Sequence, residues 1–189
     1  GLADTRNWGA RQAKGEYLAF LDADDKVHMN YYEKAIDILK GFQNVFFVGA
    51  WVQYFEGSDN VWPAFTPQPP YLLLHNSVNS SALVYKKAAF LKAGQNNPML
   101  EFGLEDYDSV VSMMESGYNG VVLPDVYFFY RVRKKSMFRK LNTNKFLYSY
   151  KYIAEQHVAY YNKFALPIIH LLNSNGPGFN YDNPTEEVT

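Results

Sequence analysis

The stretch Glu16-Tyr17-Leu18-Ala19-Phe20-Leu21-Asp22-Ala23-Asp24-Asp25 constrains this chain more than any other. Tyr17 to Leu21 is wholly apolar or aromatic, the composition of a strand buried on both faces of a parallel sheet. Three carboxylates within four residues follow at its C-terminal end. Ligands of open α/β sheets bind in the crevice outside the carboxyl ends of the strands. A strand of this kind that ends in clustered acids reads as a metal or phosphate site rather than a plain turn.

Composition narrows the function classes. A chain of 189 residues fits one domain and can bury a substantial core. The net charge of −1 gives no electrostatic ground for a nucleic-acid partner. The absence of cysteine excludes disulfides and thiolate metal sites, and it is compatible with a reducing cytoplasm. No apolar run approaches the ~18 residues of a membrane span. The longest, Phe164 to Leu172, is interrupted by Pro167 and His170, and no signal peptide is visible. Aromatic residues reach 17%, which serves either sugar-facing surfaces or amphipathic core packing. The chain begins with Gly1 and reads there as mid-domain sequence, so an N-terminal part is expected to be missing.

Taken in order, residues 1–15 predict a turn and a short helix that Gly15 ends. After the acids, a helix is expected over Asn30 to Lys40, with Tyr32, Ala35, Ile36 and Leu39 on its apolar face and Gly41 as its stop. Val45 to Phe55 is a β-prone run, and the turn from Glu56 to Asn60 predicts a hairpin into Val61 to Phe65. The three prolines between Thr66 and Pro70 mark a surface loop. Ser81 to Tyr85 predicts a strand, and Lys86 to Ala93 a helix closed by Gly94. Glu105 to Ser116 predicts a helix with Tyr107, Val110, Val111 and Met114 on one face, ended by Gly117. Gly120 to Leu123 and Val126 to Val132 read as two strands. Basic residues crowd Arg131, Arg133, Lys134, Lys135, Arg139 and Lys140. One long helix is expected over Asn144 to Lys163, facing inward through Leu147, Tyr150, Ile153, Ala154, His157 and Tyr161. The tail from Asn173 is rich in Asn, Gly and Pro and reads as poorly ordered.

The two acidic features permit specific chemistry. In an extended segment Asp22 and Asp24 point the same way, and Asp25 starts the turn away from the sheet. Carboxylates held this way suit a hard divalent cation, Mg²⁺ or Mn²⁺, which can neutralise a departing diphosphate. The same acids also suit a helix cap or a solvated turn. Glu105-Asp106, with Asp108, opens a predicted helix, where the helix dipole alone favours acids. Functionally, one of these carboxylates can act as general base toward an acceptor hydroxyl.

Asp4-Thr5-Arg6-Asn7-Trp8-Gly9-Ala10-Arg11, then Gly15-Glu16-Tyr17 and Leu21-Asp22-Ala23-Asp24-Asp25, resembles family 2 glycosyltransferases of the GT-A fold. Gly103-Leu104-Glu105-Asp106-Tyr107-Asp108 looks like that family's Glu-Asp motif, Ser80 to Gly94 like the strand and helix before it, and Tyr130-Arg131-Val132 like the Tyr-Arg element after it. The resemblance spans about Gly1 to Ser136, and its specificity lies in the order of several short motifs.

The resemblance implies an α/β fold: a partial GT-A, Rossmann-like mixed sheet flanked by helices, with a C-terminal helical extension. In residues, this means an N-terminally incomplete glycosyltransferase-like domain over 1–136, helices packed on it over 137–172, and a flexible tail over 173–189. It implies inverting transfer of a sugar from a nucleotide-diphosphate sugar to a carbohydrate or lipid-linked acceptor, in polysaccharide or glycoconjugate synthesis. Mn²⁺ or Mg²⁺ would sit at Asp24 with Asp22 or Asp25. Asp106 would be the general base, with Glu105 beside it orienting the acceptor. Arg6, Asn7 and Asp22 would lie near the nucleotide, and Arg131 near the diphosphate. The chain departs from the family at Arg133, where many relatives carry a histidine, and lacks the strand-helix-strand-helix half that normally precedes Gly1. That lack would expose the edge of the strand Tyr17 to Leu21. A homodimer through this edge, a peripheral place at the cytoplasmic face of a membrane, and an inactive remnant working only through self-association or partner binding are the associated expectations. A metal-dependent nucleotidyltransferase also uses acidic strand ends, but it leaves the Glu-Asp helix unexplained.

Overall fold

A computed structural model of the protein describes residues 1–133 and 142–174. In chain order it runs α1 (Leu2–Gln12), β1 (Tyr17–Ala19), β2 (Lys26–Val27), α2 (Tyr31–Gly41), β3 (Val45–Phe55) and β4 (Val61–Trp62). Next come α3 (Tyr71–Leu74), β5 (Val84–Lys86), α4 (Lys87–Ala89, continued by a π-helical turn over Phe90–Gly94) and α5 (Glu105–Glu115). Strand β6 (Asn119–Arg131) and helices α6 (Thr143–Gln156), α7 (Val158–Lys163) and α8 (Ala165–Ser174) complete it. None of the described helices is long and apolar enough to cross a membrane.

The fold is α/β, with a mixed sheet ordered β1-β5-β3-β6-β2 and β4 paired to β3. Its spine is the parallel pair of β3 and β6; the β1–β5, β3–β5, β2–β6 and β3–β4 pairs are antiparallel. The period of two sends Phe47 to one face and Val48 to the other, and both are fully buried. On one face α2 supplies Tyr31, Ala35 and Leu39 to a cluster with Val45, Val48 and Ala50. On the other, Phe47, Leu83, Tyr85 and Phe90 meet Tyr107, Val110 and Met113 of α5, with Ile153 and Tyr160 from α6 and α7.

Several elements depart from the sequence reading. The strand Tyr17 to Leu21, expected within a parallel sheet, pairs only over Tyr17–Ala19, antiparallel to β5, at one end of the strand order. Leu18 and Phe20 still face the larger cluster and Tyr17 the smaller, but Leu21 is exposed. Gly120 to Leu123 and Val126 to Val132 are one strand, not two. Pro124 and Asp125 bulge out between Leu123 (opposite Ala50) and Val126 (opposite Trp51), so the proline's missing N–H costs no ladder bond. Helix α1 ends at Gln12 rather than at Gly15. Ser80–Ala82 forms a 3₁₀ turn ahead of β5.

The long helix expected over Asn144 to Lys163 breaks at His157 into α6 and α7. Leu147 is exposed rather than inward-facing. The basic residues Lys134, Lys135, Arg139 and Lys140, and the tail beyond Ser174, lie outside the described residues.

The spine requires a glycine at one point. Gly120 lies opposite Phe47, and a Cβ added there would sit 2.1 Å from the Phe47 ring. Because that ring is fully buried, it has nowhere to retreat. Gly120→Ala should lower stability by about 1–3 kcal/mol, read from the midpoint of urea unfolding.

His157 also binds two layers. Its Nδ1 lies 2.5 Å from Glu115 Oε2 and its Nε2 3.1 Å from Asp108 Oδ1, both on α5. Burial opposes its charge, but the hydrogen bonds and negative charges of Asp108 and Glu115 outweigh burial and raise its pKa. A group whose pKa is raised on folding stabilises fully below its unfolded value, about 6.5, and loses that contribution as pH rises through the folded value. The stability difference between wild type and His157→Gln should therefore be largest in mild acid and shrink as the pH is raised, in parallel urea titrations.

Candidate active site

The acids leave β1 in a tight turn closed by the Asp25 N–H donating to the Asp22 carbonyl at 3.0 Å. Above this turn lies Arg6, on the inward face of α1 and buried. Its Nη2 donates to Asp22 Oδ1 at 2.9 Å and its Nη1 to Glu105 Oε1 at 3.1 Å. One guanidinium thus joins the strand-end acids to the Glu-Asp helix.

Glu105 and Asp106 are delivered by an unusual backbone. Gly103 and Leu104 both have positive φ, 112° and 73°, immediately before α5. For leucine that conformation is strained, and strain of this kind collects at functional sites. Asp106 Oδ1 accepts the N–H of Tyr107 at 2.8 Å, and the carboxylate also bonds the Ser80 side chain.

The electrostatics follow from burial and crowding. Burial raises Glu105, and the neighbouring Asp106 raises it further against the pull of Arg6. Asp106 is also raised by burial, with Arg6 as the first opposing influence. Asp25 is pushed up to about 6 by burial; the Arg131 backbone N–H opposes the shift, and the charges of Asp24 and Asp22 add to it. Arg6 keeps its proton more firmly than usual: burial disfavours the charge, but Asp22, then Asp106 and Glu105, more than compensate.

All five acids line one cavity of about 650 Å³, with Arg6, Arg131 and Arg133 on its wall. Arg131 binds the acidic turn in two ways. Its backbone N–H donates to Asp25 Oδ1 at 2.8 Å and its Nε to the Asp24 carbonyl at 2.8 Å. Its Nη1 pairs with Glu56 at the β3–β4 hairpin. Arg133 lies 3.3 Å from Asp24 Oδ2. Of the acids and the arginine and asparagine singled out from sequence, Asp108 and Asn7 lie off the cavity, Asp108 turned to His157. The Asn7 amide is spent on Asn96, donating to the carbonyl at 2.7 Å and accepting the N–H at 2.8 Å. Ser80 and Glu56 were not singled out for the site, because a serine or a hairpin glutamate carries no local signal of what it will face.

The donor chemistry suits a hard cation only in part. The site offers carboxylate oxygens, and the mutual repulsion felt at Asp25 is what a cation would relieve. Yet among the described residues no group of three His, Cys, Asp or Glu could hold a metal ion. Asp22 is turned instead to Arg6. A magnesium-like ion, which is held by one or two carboxylates plus substrate phosphates, fits this set better than an all-protein cage does.

A mixed sheet, a strand-end acid cluster and a buried Glu-Asp helix start around one cavity define a GT-A-like transferase architecture. The chain belongs to glycosyl transferase family 2, whose model matches residues 1–99. An uncharacterized glycosyltransferase of Haemophilus influenzae is 32% identical over 122 residues, covering 61% of this chain and 41% of that protein. One from Methanocaldococcus jannaschii is 24% identical over 158 residues, covering 79% of this chain and 53% of its own length. The chain thus spans about half the length, or less, of these relatives. The fold is shared with Staphylococcus aureus TarS 1-349. Its complex with UDP matches at TM-score 0.56 and 20% identity, over 82% of this chain and 44% of that one. Its complex with UDP-GlcNAc matches at TM-score 0.57 and 16% identity, over 78% and 44%.

Removing the Arg6 charge leaves the buried Glu105 without its cation. Arg6→Gln should cost about 3–5 kcal/mol in urea unfolding, and Glu105→Gln less, because it removes the buried acid itself.

Proposed function

We propose that this chain carries the metal-side and acceptor-side part of an inverting glycosyltransferase. It would move a sugar from a nucleotide-diphosphate sugar to an acceptor hydroxyl, in polysaccharide or glycoconjugate synthesis. The observation that carries this reading is the meeting of Asp22, Asp24, Asp25, Glu105 and Asp106 on one cavity. UDP-sugars are the first donors to test, because the TarS structures hold UDP and UDP-GlcNAc.

In this reading Asp106 accepts the proton of the acceptor hydroxyl. The acceptor oxygen then bonds the anomeric carbon from the face opposite the diphosphate, whose bond to that carbon breaks, so the configuration inverts. The raised pKa of Asp106 makes it a stronger base than a free aspartate at the same ionisation. Glu105 is held by Arg6 beside the acceptor path. Asp24 and Asp25 would hold Mn²⁺ or Mg²⁺, which neutralises charge on the departing diphosphate. Arg131 and Arg133 supply guanidinium groups for the phosphates.

Asp106→Asn should lower transfer from UDP-GlcNAc by about 10²–10⁴-fold while leaving binding of UDP with Mn²⁺ intact. In the active protein the rate should fall as pH drops through the raised pKa of Asp106, since only its carboxylate accepts a proton. Asp24→Ala should abolish the Mn²⁺ dependence of UDP binding, measured by calorimetry. Equal Mn²⁺-dependent binding by wild type and Asp24→Ala would sink the metal assignment.

A further inference from the structure

The cavity wall carries both acids and aromatic rings. Asp22, Asp24 and Asp25 line it with Tyr130, whose hydroxyl they raise after burial has done so. Tyr54 meets Tyr130 edge to face, with ring centroids 5.9 Å apart. Farther along the sheet, Trp62 stands on β4 opposite Val52. Trp62 and Tyr54 rest on a small cluster of Val52, Ala82 and Phe128, and both remain part-exposed where they line the cavity.

Polar groups line the same cavity. Asn79 and Ser81 line it and flank Ser80, the residue bonded to Asp106. The Ser81 hydroxyl donates to Asn79 Oδ1 at 3.0 Å, while the buried Asn79 Nδ2 has no partner among the described residues. Part-exposed aromatic rings on a cavity wall shared with amide and hydroxyl groups match a pyranose, which is apolar on its C–H face and hydroxylated at its rim.

We propose that Trp62 and Tyr54, with Asn79 and Ser81, form a saccharide subsite that seats the sugar ring of the acceptor and presents its hydroxyl toward Asp106. The word acceptor rests on the transferase reading above; saccharide binding at Trp62 does not. The chain has three tryptophans, so the Trp62 indole signal is assigned by comparison with Trp62→Phe, whose thermal unfolding also checks that the hairpin is intact. N-acetylglucosamine and cellobiose are titrated against the protein by NMR, and UDP with Mn²⁺ in parallel. The expected result is a saccharide-dependent shift of the Trp62 signal, at least about fivefold weaker saccharide binding by Trp62→Ala, and unchanged UDP binding. No saccharide shift at Trp62, or equal saccharide binding by Trp62→Ala, overturns the subsite. Weaker UDP binding by Trp62→Ala also overturns it, because the ring would then stack on the base. Saccharide binding without UDP binding keeps the subsite and removes the support for a UDP-sugar donor.

Discussion

The site depends on the buried guanidinium of Arg6, which bonds Asp22, 16 residues away, and Glu105, 99 residues away. Burying charges is expensive, and the arrangement is tolerable because each nitrogen used finds a carboxylate oxygen at hydrogen-bond distance. Three segments that touch nowhere in sequence, α1, the turn after β1 and the start of α5, are thereby held in one geometry. The same charge restrains the rise in pKa that burial imposes on Glu105 and Asp106.

Two further devices keep α5 in place. At its start the left-handed pair Gly103-Leu104 aims the first turn at the cavity. Farther along, His157 at the break between α6 and α7 takes Asp108 and Glu115, so the C-terminal helices brace the helix that carries Glu105-Asp106. Opposite them, the tight approach of Phe47 to Gly120 fixes the spacing of the parallel β3–β6 spine, whose far ends carry Tyr54, Tyr130 and Arg131 to the cavity.

Much of the local structure was legible because strong local signals ruled it. The run Val45 to Phe55 and the helix from Glu105 are found with nearly the expected bounds, the first by β-branched and aromatic density, the second by apolar spacing and the Gly117 stop. Local pattern fails as a guide where tertiary contacts override it. Pro124 looked like a strand break but sits in a bulge. His157 looked like one more inward position of a long helix, yet ion pairing to α5 coincides with a break there. Tyr17 to Leu21 has the composition of a strand in a parallel sheet, yet it pairs antiparallel to β5, its only partner among the described residues.

Sequence alone determined the family and brought out the acids of the candidate site, since the strand-end acids, the Glu-Asp helix start and the Tyr-Arg element are short motifs whose order and spacing are readable without a fold. It also excluded thiolate chemistry, because no cysteine is present. Only the tertiary structure decided which partner each group meets: Arg6 with Glu105, Asn7 with Asn96, Glu56 with Arg131, Ser80 with Asp106. The physical reason is that charge and hydrogen-bond partners are chosen by proximity after folding. A residue's type states what it can bond, and its position in the chain does not state what will be near it.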